Sequence, residues 1–180
     1  RRLLTTVDKT RTTVELVFDG VVADLVSQDP GVFDRVLDAG RVMQAADTLG
    51  AAQYALDQAV DYAKQRKQFE RVIGSFQAVK HMCAEMAASL EPCRSLVWYA
   101  GHALDHIPEE SRVTACHAKA HLAEVGRFVA KTATEVHGGM GFTDLVGLHY
   151  WFKRIGANRQ LLGSPELVRE EAARLQGMVA

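Results

Sequence analysis

Hydrophobic positions change their rhythm once along this chain. From Thr12 to Val26, in TTVELVFDGVVADLV, apolar and polar residues alternate in part and β-branched residues are frequent, which predicts a strand. After SQDPG the rhythm becomes helical and stays so. No proline interrupts Val32 to Phe69, and Leu49, Ala52, Leu56, Ala59 and Tyr62 recur at spacings of three and four, as on one face of a long helix. A second helix is expected over Ser75–His106, with the stripe Val79, Met82, Cys83, Met86, Leu90, Cys93, Val97, Ala100 and Leu104. Pro92 lies inside it and removes one backbone hydrogen bond, so a kink is expected there. IPEESR reads as a break and a restart, with Pro108 early in the helix and Glu109 and Glu110 in its first turn. This third helix runs to His137 and stops at the glycines of TEVHGGMGFTD. LVGLHYWFKRIGANRQLL predicts a fourth helix, and SPELVREEAARLQ a fifth, with Ser164 as N-cap and Pro165 at its first position. Long helices joined by short breaks run antiparallel, so the expected fold is all-α: an antiparallel four-helix-type bundle preceded by a short N-terminal β segment.

Composition narrows the functional classes. At 180 residues the chain makes about one domain with a real core. A formal net charge of −1 provides no overall field toward nucleic acid or an anionic membrane, so neither is an expected partner. No apolar run approaches the roughly 20 residues that span a bilayer, and RRLLTTVDKT lacks an apolar signal core. Cys83, Cys93 and Cys116 have no metal or redox spacing; a sparse, odd count fits buried thiols in a reducing cytoplasm. His117 and His121 stand four apart on one helix but lack a third ligand, so no metal is expected. The chain starts mid-pattern without methionine, which reads as part of something longer.

Gly138, Gly139 and Gly141 pose a question that composition does not answer. They are either a plain helix stop or a backbone platform for a ligand. The flanking motifs favour the platform. YAKQRKQFERVIGSFQAVKHMCAEMA (Tyr62–Ala87), followed about fifty residues later by TEVHGGMGF, resembles the C-terminal domain of the acyl-CoA dehydrogenases. In that family an Arg-x-x-Phe closes the first long helix, here Arg66 and Phe69. A Phe-Gln pair opens the second, here Phe76 and Gln77, and a Gln-x-x-Gly-Gly-x-Gly turn ends the third. The resemblance covers nearly the whole chain. It implies that residues 1–30 are a remnant of the family's middle β-domain and that 31–180 are its C-terminal helical bundle domain.

The resemblance also implies a cofactor site. The family's glycine turn lies beside the ADP half of an FAD held by the neighbouring subunit. On that basis Arg66, Gln68, Phe69, Phe76, Gln77, Glu135, Gly138 and Gly139 are the expected FAD contacts. The residue types suit those roles: Arg66 can bond phosphate oxygens, the glycines admit a close backbone approach, Phe69 can cover a flat ring and Gln77 can hydrogen-bond it. FAD is expected in the intact oligomer and not tightly held by this fragment alone. Two residues depart from the family pattern. Glu135 stands where glutamine is usual, and a carboxylate near a diphosphate repels it unless protonated or turned away. Glu70 replaces a common glycine.

The larger departure concerns catalysis. Acyl-CoA dehydrogenation needs a carboxylate to remove the proton α to the thioester, and the family carries it at one of two positions that converge in space. Counted along this chain, these fall on Leu162 and Gly40, neither of which accepts a proton. Arg41, next to the second, is expected to touch the acyl-CoA substrate. A positioned base contributes about 10² to 10⁴ in rate, so no catalytic residue is assigned. Asp38 lies about 200° around the helix from Gly40, and Asp144 and Glu166 are near only in sequence. The expected function is a non-catalytic subunit giving FAD contacts and oligomer surface to a homologous acyl-CoA dehydrogenase subunit, or to a second copy of itself. The alternatives are a conventional dehydrogenase with its base elsewhere, or a helical interaction module without activity. Tyr150, Trp151 and Phe152 are expected to add apolar surface for association.

Overall fold

The computed structural model describes residues 1–179; Ala180, the last residue of the expected helical domain, lies outside them. Three long helices, α1 (Gly31–Gln65), α2 (Gln77–His106) and α3 (Pro108–His137), form the antiparallel bundle, and α4 (Leu148–Gln160) and α5 (Pro165–Leu175) pack on α3. The helical periods become the core. Val42, Ala45, Leu49, Ala52, Leu56, Ala59 and Ala63 of α1 are all buried, at alternating spacings of three and four. Met86, Leu90, Cys93, Val97 and Ala100 of α2 and Ala115, Ala118, Leu122 and Val129 of α3 meet them. Many of these side chains are alanine, which lets the helix backbones approach closely. A smaller cluster of Cys116, Ala120, Val168 and Ala172 seats α5 on α3. Ser164 caps α5 as expected, its hydroxyl accepting from the Leu167 amide at 3.4 Å. Among the described residues no helix is long and apolar enough to cross a membrane.

Several boundaries differ from the sequence reading. The second helix starts at Gln77, two residues after the expected Ser75, and runs through Pro92 as one element. The first helix stops at Gln65, four residues short of Phe69, because Lys67–Gln68 (β3) and Arg71–Val72 (β4) pair as a small hairpin. The fourth helix loses both expected ends. Gly147 is left-handed at φ 70°, which starts the helix at Leu148, and Leu162 is left-handed at φ 60°, beyond its end. The expected strand over Thr12–Val26 shrinks to Thr13–Glu15 (β2), paired with Arg2–Leu4 (β1), a strand the alternation did not reveal. Among the described residues, 16–26 find no strand partner. Apolar residues there stay exposed, Val22 at 95 %, and Gly20 breaks the extended backbone at φ 59°. Strand propensity without a neighbouring strand leaves the backbone bonds unmade.

The first residues are nonetheless anchored. The Asp47 carboxylate on α1 accepts from Arg154 Nε and Arg11 Nη2 at 3.0 Å each and from Asn158 Nδ2 at 2.6 Å. Thr10 accepts from Arg154 as well. One carboxylate therefore ties the N-terminal segment to α1 and α4.

Candidate functional site

Two turns face each other at one end of the bundle. α1 gives way to extended backbone at Arg66, whose amide donates to the Tyr62 carbonyl at 2.8 Å. The β3–β4 hairpin follows, with Phe69 (φ 52°) and Glu70 (φ 64°) as its left-handed central residues. A two-residue hairpin turn demands that conformation. It carries Phe69 out into solvent, 86 % exposed. Gly74 then lies tight on α1: a Cβ there would come within 2.9 Å of the Ala63 carbonyl oxygen. Across from the hairpin, α3 ends at His137 and Gly138 turns left-handed at φ 58°.

Between the two turns lies an open cleft of about 490 Å³. It brings together five of the eight expected cofactor residues: Arg66, Gln68, Glu135, Gly138 and Gly139. A Cβ on Gly138 or Gly139 would meet nothing within 4 Å, so the backbone there is open to an approaching group. Among the described residues the Arg66 guanidinium makes no hydrogen bond or ion pair, leaving a cation at the cleft wall. Glu135, the residue that departs from the family pattern, has its carboxylate 3.6 Å from Lys131 Nζ, which offsets its charge. The remaining three residues lie on the hairpin side and outside the cleft lining. Phe69 and Phe76 meet edge to face at 6.2 Å, Arg71 lies 4.0 Å above the Phe76 ring, and Gln77 reaches His81 at 3.4 Å.

Sequence reasoning missed the other five lining residues, of which Tyr62 and His137 carry polar groups. Tyr62 and His137 stack across the cleft at 4.5 Å with 25° between their planes. His137 Nδ1 donates to the Ala133 carbonyl at 2.7 Å, which fixes the ring's orientation. The signal was position alone: Tyr62 is one turn before Arg66, and His137 directly precedes Gly138. Chemically the cleft offers a free guanidinium, open backbone and the half-buried Tyr62 ring, stacked on buried His137. That set suits a flat, aromatic ligand carrying phosphate.

Gly40 and Leu162, the two positions expected from the resemblance to correspond to a family base, are far apart in sequence and touch in space. A Cβ built on Gly40 would fall 2.6 Å from Leu162 Cδ1. No carboxylate projects from either. Arg41 is 2 % exposed, and its donors are committed within the chain. Nε donates to the Leu162 carbonyl at 3.1 Å, Nη2 to Glu171 at 2.7 Å and Nη1 to Cys116 Sγ at 3.2 Å. Asp38 is buried beside this cluster, 3.7 Å from Arg41, and burial raises its pKa against the pull of Arg112 and Arg41. Asp144 is engaged by His149 at 3.1 Å and Tyr150 at 3.2 Å, and Glu166 by Arg159 at 2.9 Å. Of the residues expected to add surface for association, Trp151 packs on Tyr54 at 4.8 Å, whereas Phe152 stays exposed.

A model of the acyl-CoA dehydrogenase C-terminal domain matches residues 31–176. Acyl-CoA dehydrogenase IpdE2 of Mycolicibacterium smegmatis is 36% identical over 142 residues, covering 79% of this chain and 43% of that protein. Two solved structures share the fold with a TM-score of 0.77 each. One is a Tcur3481–Tcur3483 steroid ACAD variant, 30% identical over 83% of this chain and 41% of its own. The other is the ChsE4–ChsE5 complex from Mycobacterium tuberculosis, 26% identical over 84% of this chain and 41% of its own. The chain thus spans less than half the length of these relatives. On the residues matched and the fold they build, this chain belongs to the acyl-CoA dehydrogenase family, as its C-terminal helical domain.

Proposed function

We propose that this domain belongs to a subunit with no base of its own, which lends FAD contacts and oligomer surface to a homologous subunit performing α,β-dehydrogenation of an acyl-CoA thioester. The observation that carries the reading is the contact between Gly40 and Leu162. Both positions from which a family base would project lie together, and neither holds a proton acceptor. The names of two related structures, Tcur3481–Tcur3483 and ChsE4–ChsE5, each pair two unlike chains, which supports an unlike partner here. The first of them is a steroid enzyme by name, which supports a steroid side chain as one acyl group for the whole enzyme. Residues 1–30 are the end of the middle β-domain, in keeping with the exposed apolar side chains of Leu16 to Val26. Two buried thiols and one half-buried fit a reducing cytoplasm.

The cleft residues fit an FAD reaching in from the partner. Arg66, free of internal partners, would hold a diphosphate oxygen, and Gly138 and Gly139 would let backbone approach it. Phe69 and Phe76 would cover flat ring surface, with Gln68 and Gln77 as hydrogen-bonding groups. When bound, the flavin supplies a hydride acceptor. This chain supplies binding and orientation, and Lys131, 3.6 Å from Glu135, reduces the carboxylate's repulsion of the diphosphate.

The test uses the full-length chain with its partner. Flavin should titrate at one per pair of unlike chains. Arg66→Ala should weaken FAD retention by about 1.5 to 3 kcal/mol, the range for a hydrogen bond to a charged group. Leu162→Glu should leave turnover of the complex intact. Turnover abolished by Leu162→Glu, together with unchanged retention in Arg66→Ala, would place the chemistry in this subunit and reverse the assignment.

A further inference from the structure

Leu162 is held in an uncommon conformation. It is a branched residue at φ 60°, followed by Gly163 at φ 112°. Left-handed backbone is unfavourable for a residue with a Cβ, so its surroundings must determine it. Arg41 Nε binds the Leu162 carbonyl at 3.1 Å, and Glu171 and Cys116 fix the Arg41 guanidinium in turn. Upstream, buried Lys119 donates to the Asn158 and Arg159 carbonyls at 2.8 and 3.2 Å, tying down the end of α4. Downstream, a Cβ on Gly163 would lie 2.9 Å from Val168 Cγ1, so the chain passes close over α5. With its backbone pinned on three sides, Leu162 lays its side chain across α1 at Gly40. Its Cδ1 occupies the place a residue-40 side chain would begin. By helical spacing Val36 and Met43 share this face of α1, and both are exposed apolar side chains.

We infer that Gly40 and Leu162 form one steric unit: Leu162 lays its Cδ1 in the notch that glycine leaves on α1, and any side chain at residue 40 must displace that methyl. The two base positions then exclude each other in this chain. A carboxylate cannot be carried at residue 40 while Leu162 keeps its seat, so both losses belong to one apolar closure of that face. The meaning of this closure for catalysis rests on the base-less reading above; the steric pairing rests on geometry alone.

The experiment is a double-substitution cycle in the full-length chain, read as the melting temperature. Gly40 lies inside a 35-residue helix, where alanine normally stabilises over glycine. Gly40→Ala should therefore raise Tm by a few degrees in the Leu162→Ala background, where the notch is empty. With Leu162 present it should give no gain, or a loss, because the new Cβ displaces the Leu162 methyl. Leu162→Ala alone tests the folding of the background, since that side chain is 41 % exposed and its removal leaves the bundle core untouched. The same gain from Gly40→Ala in both backgrounds would overturn the proposal. That result would leave the missing base untouched, just as dehydrogenation by this chain alone would refute the missing base without altering the melting cycle.

Discussion

Lys119 shows how much a single buried residue can contribute to this fold. It is 2 % exposed, and burial lowers its pKa to about 8 from 10.5, helped by the nearby positive charges of Arg41 and Arg159. The folded value lies below the unfolded one. Below about pH 8 both states are protonated, and this residue adds no pH dependence. Between about 8 and 10.5 the unfolded chain holds more proton, so stability rises with pH through that window. Replacing Lys119 by Met removes the effect along with two hydrogen bonds. Between about pH 7 and pH 9.5 the unfolding free energy of the wild type should gain on that of Lys119→Met by on the order of 1–2 kcal/mol. A constant gap in denaturant titrations at the two pH values would show that the ammonium is well solvated in the folded chain.

At the scale of elements, the β3–β4 hairpin matters most because it aims Phe69 and leads out of Arg66. Its turn places two residues with side chains, Phe69 and Glu70, in the left-handed region that glycine occupies most easily. Glu70→Gly should therefore stabilise the chain by about 0.5–1 kcal/mol, relief of the backbone outweighing glycine's greater freedom when unfolded. Chemical denaturation checks the sign, and a destabilised variant would mean that the carboxylate contributes more than the turn geometry costs. This hairpin was hidden in the sequence. KQRKQFERVIG has no alternation or turn glycine at its centre, and helical periodicity runs up to it without a stop signal. The helices themselves were legible because each must bury one stripe, and a stripe is a local property of spacing.

Across the whole molecule, Asp47 joins parts that sequence cannot relate: the N-terminal segment through Arg11, α4 through Arg154 and Asn158, and α1 on which it stands. Burial by itself would raise its pKa, but hydrogen bonds from Arg154 and Asn158 and the charges of Arg154 and Arg11 outweigh that and hold it below 3.8. The folded value is depressed, so its stabilisation is fully present above the unfolded pKa and is lost as pH falls through the folded one. Asp47→Ala leaves Arg154 without its anion, while Arg11 keeps Asp8 at 3.2 Å, and should cost about 2 kcal/mol at neutral pH. The penalty should shrink in acid. A variant as stable as wild type at neutral pH would mean that the N-terminal segment is not docked in solution.

What the chain determined by itself was local or additive. Core stripes, helix starts at Pro108 and Pro165, the cap at Ser164 and the stop at Gly138 follow from spacing and backbone preference within a few residues. The cleft was half legible: Arg66 and the glycine turn could be named from motifs, because each stands at the end of a long helix whose period is readable. Only the tertiary structure decided that these ends face each other, that Tyr62 and His137 stack between them, and that the strand signal of residues 16–26 finds no partner among the described residues. It also decided that Arg41, expected from the sequence to touch substrate, is buried and bonded to Leu162, Glu171 and Cys116 within the chain, and that Gly40 and Leu162, 122 positions apart, meet on one face of α1. Those outcomes depend on which surfaces the bundle brings into contact, and contact at long range is not encoded in the period of any one segment.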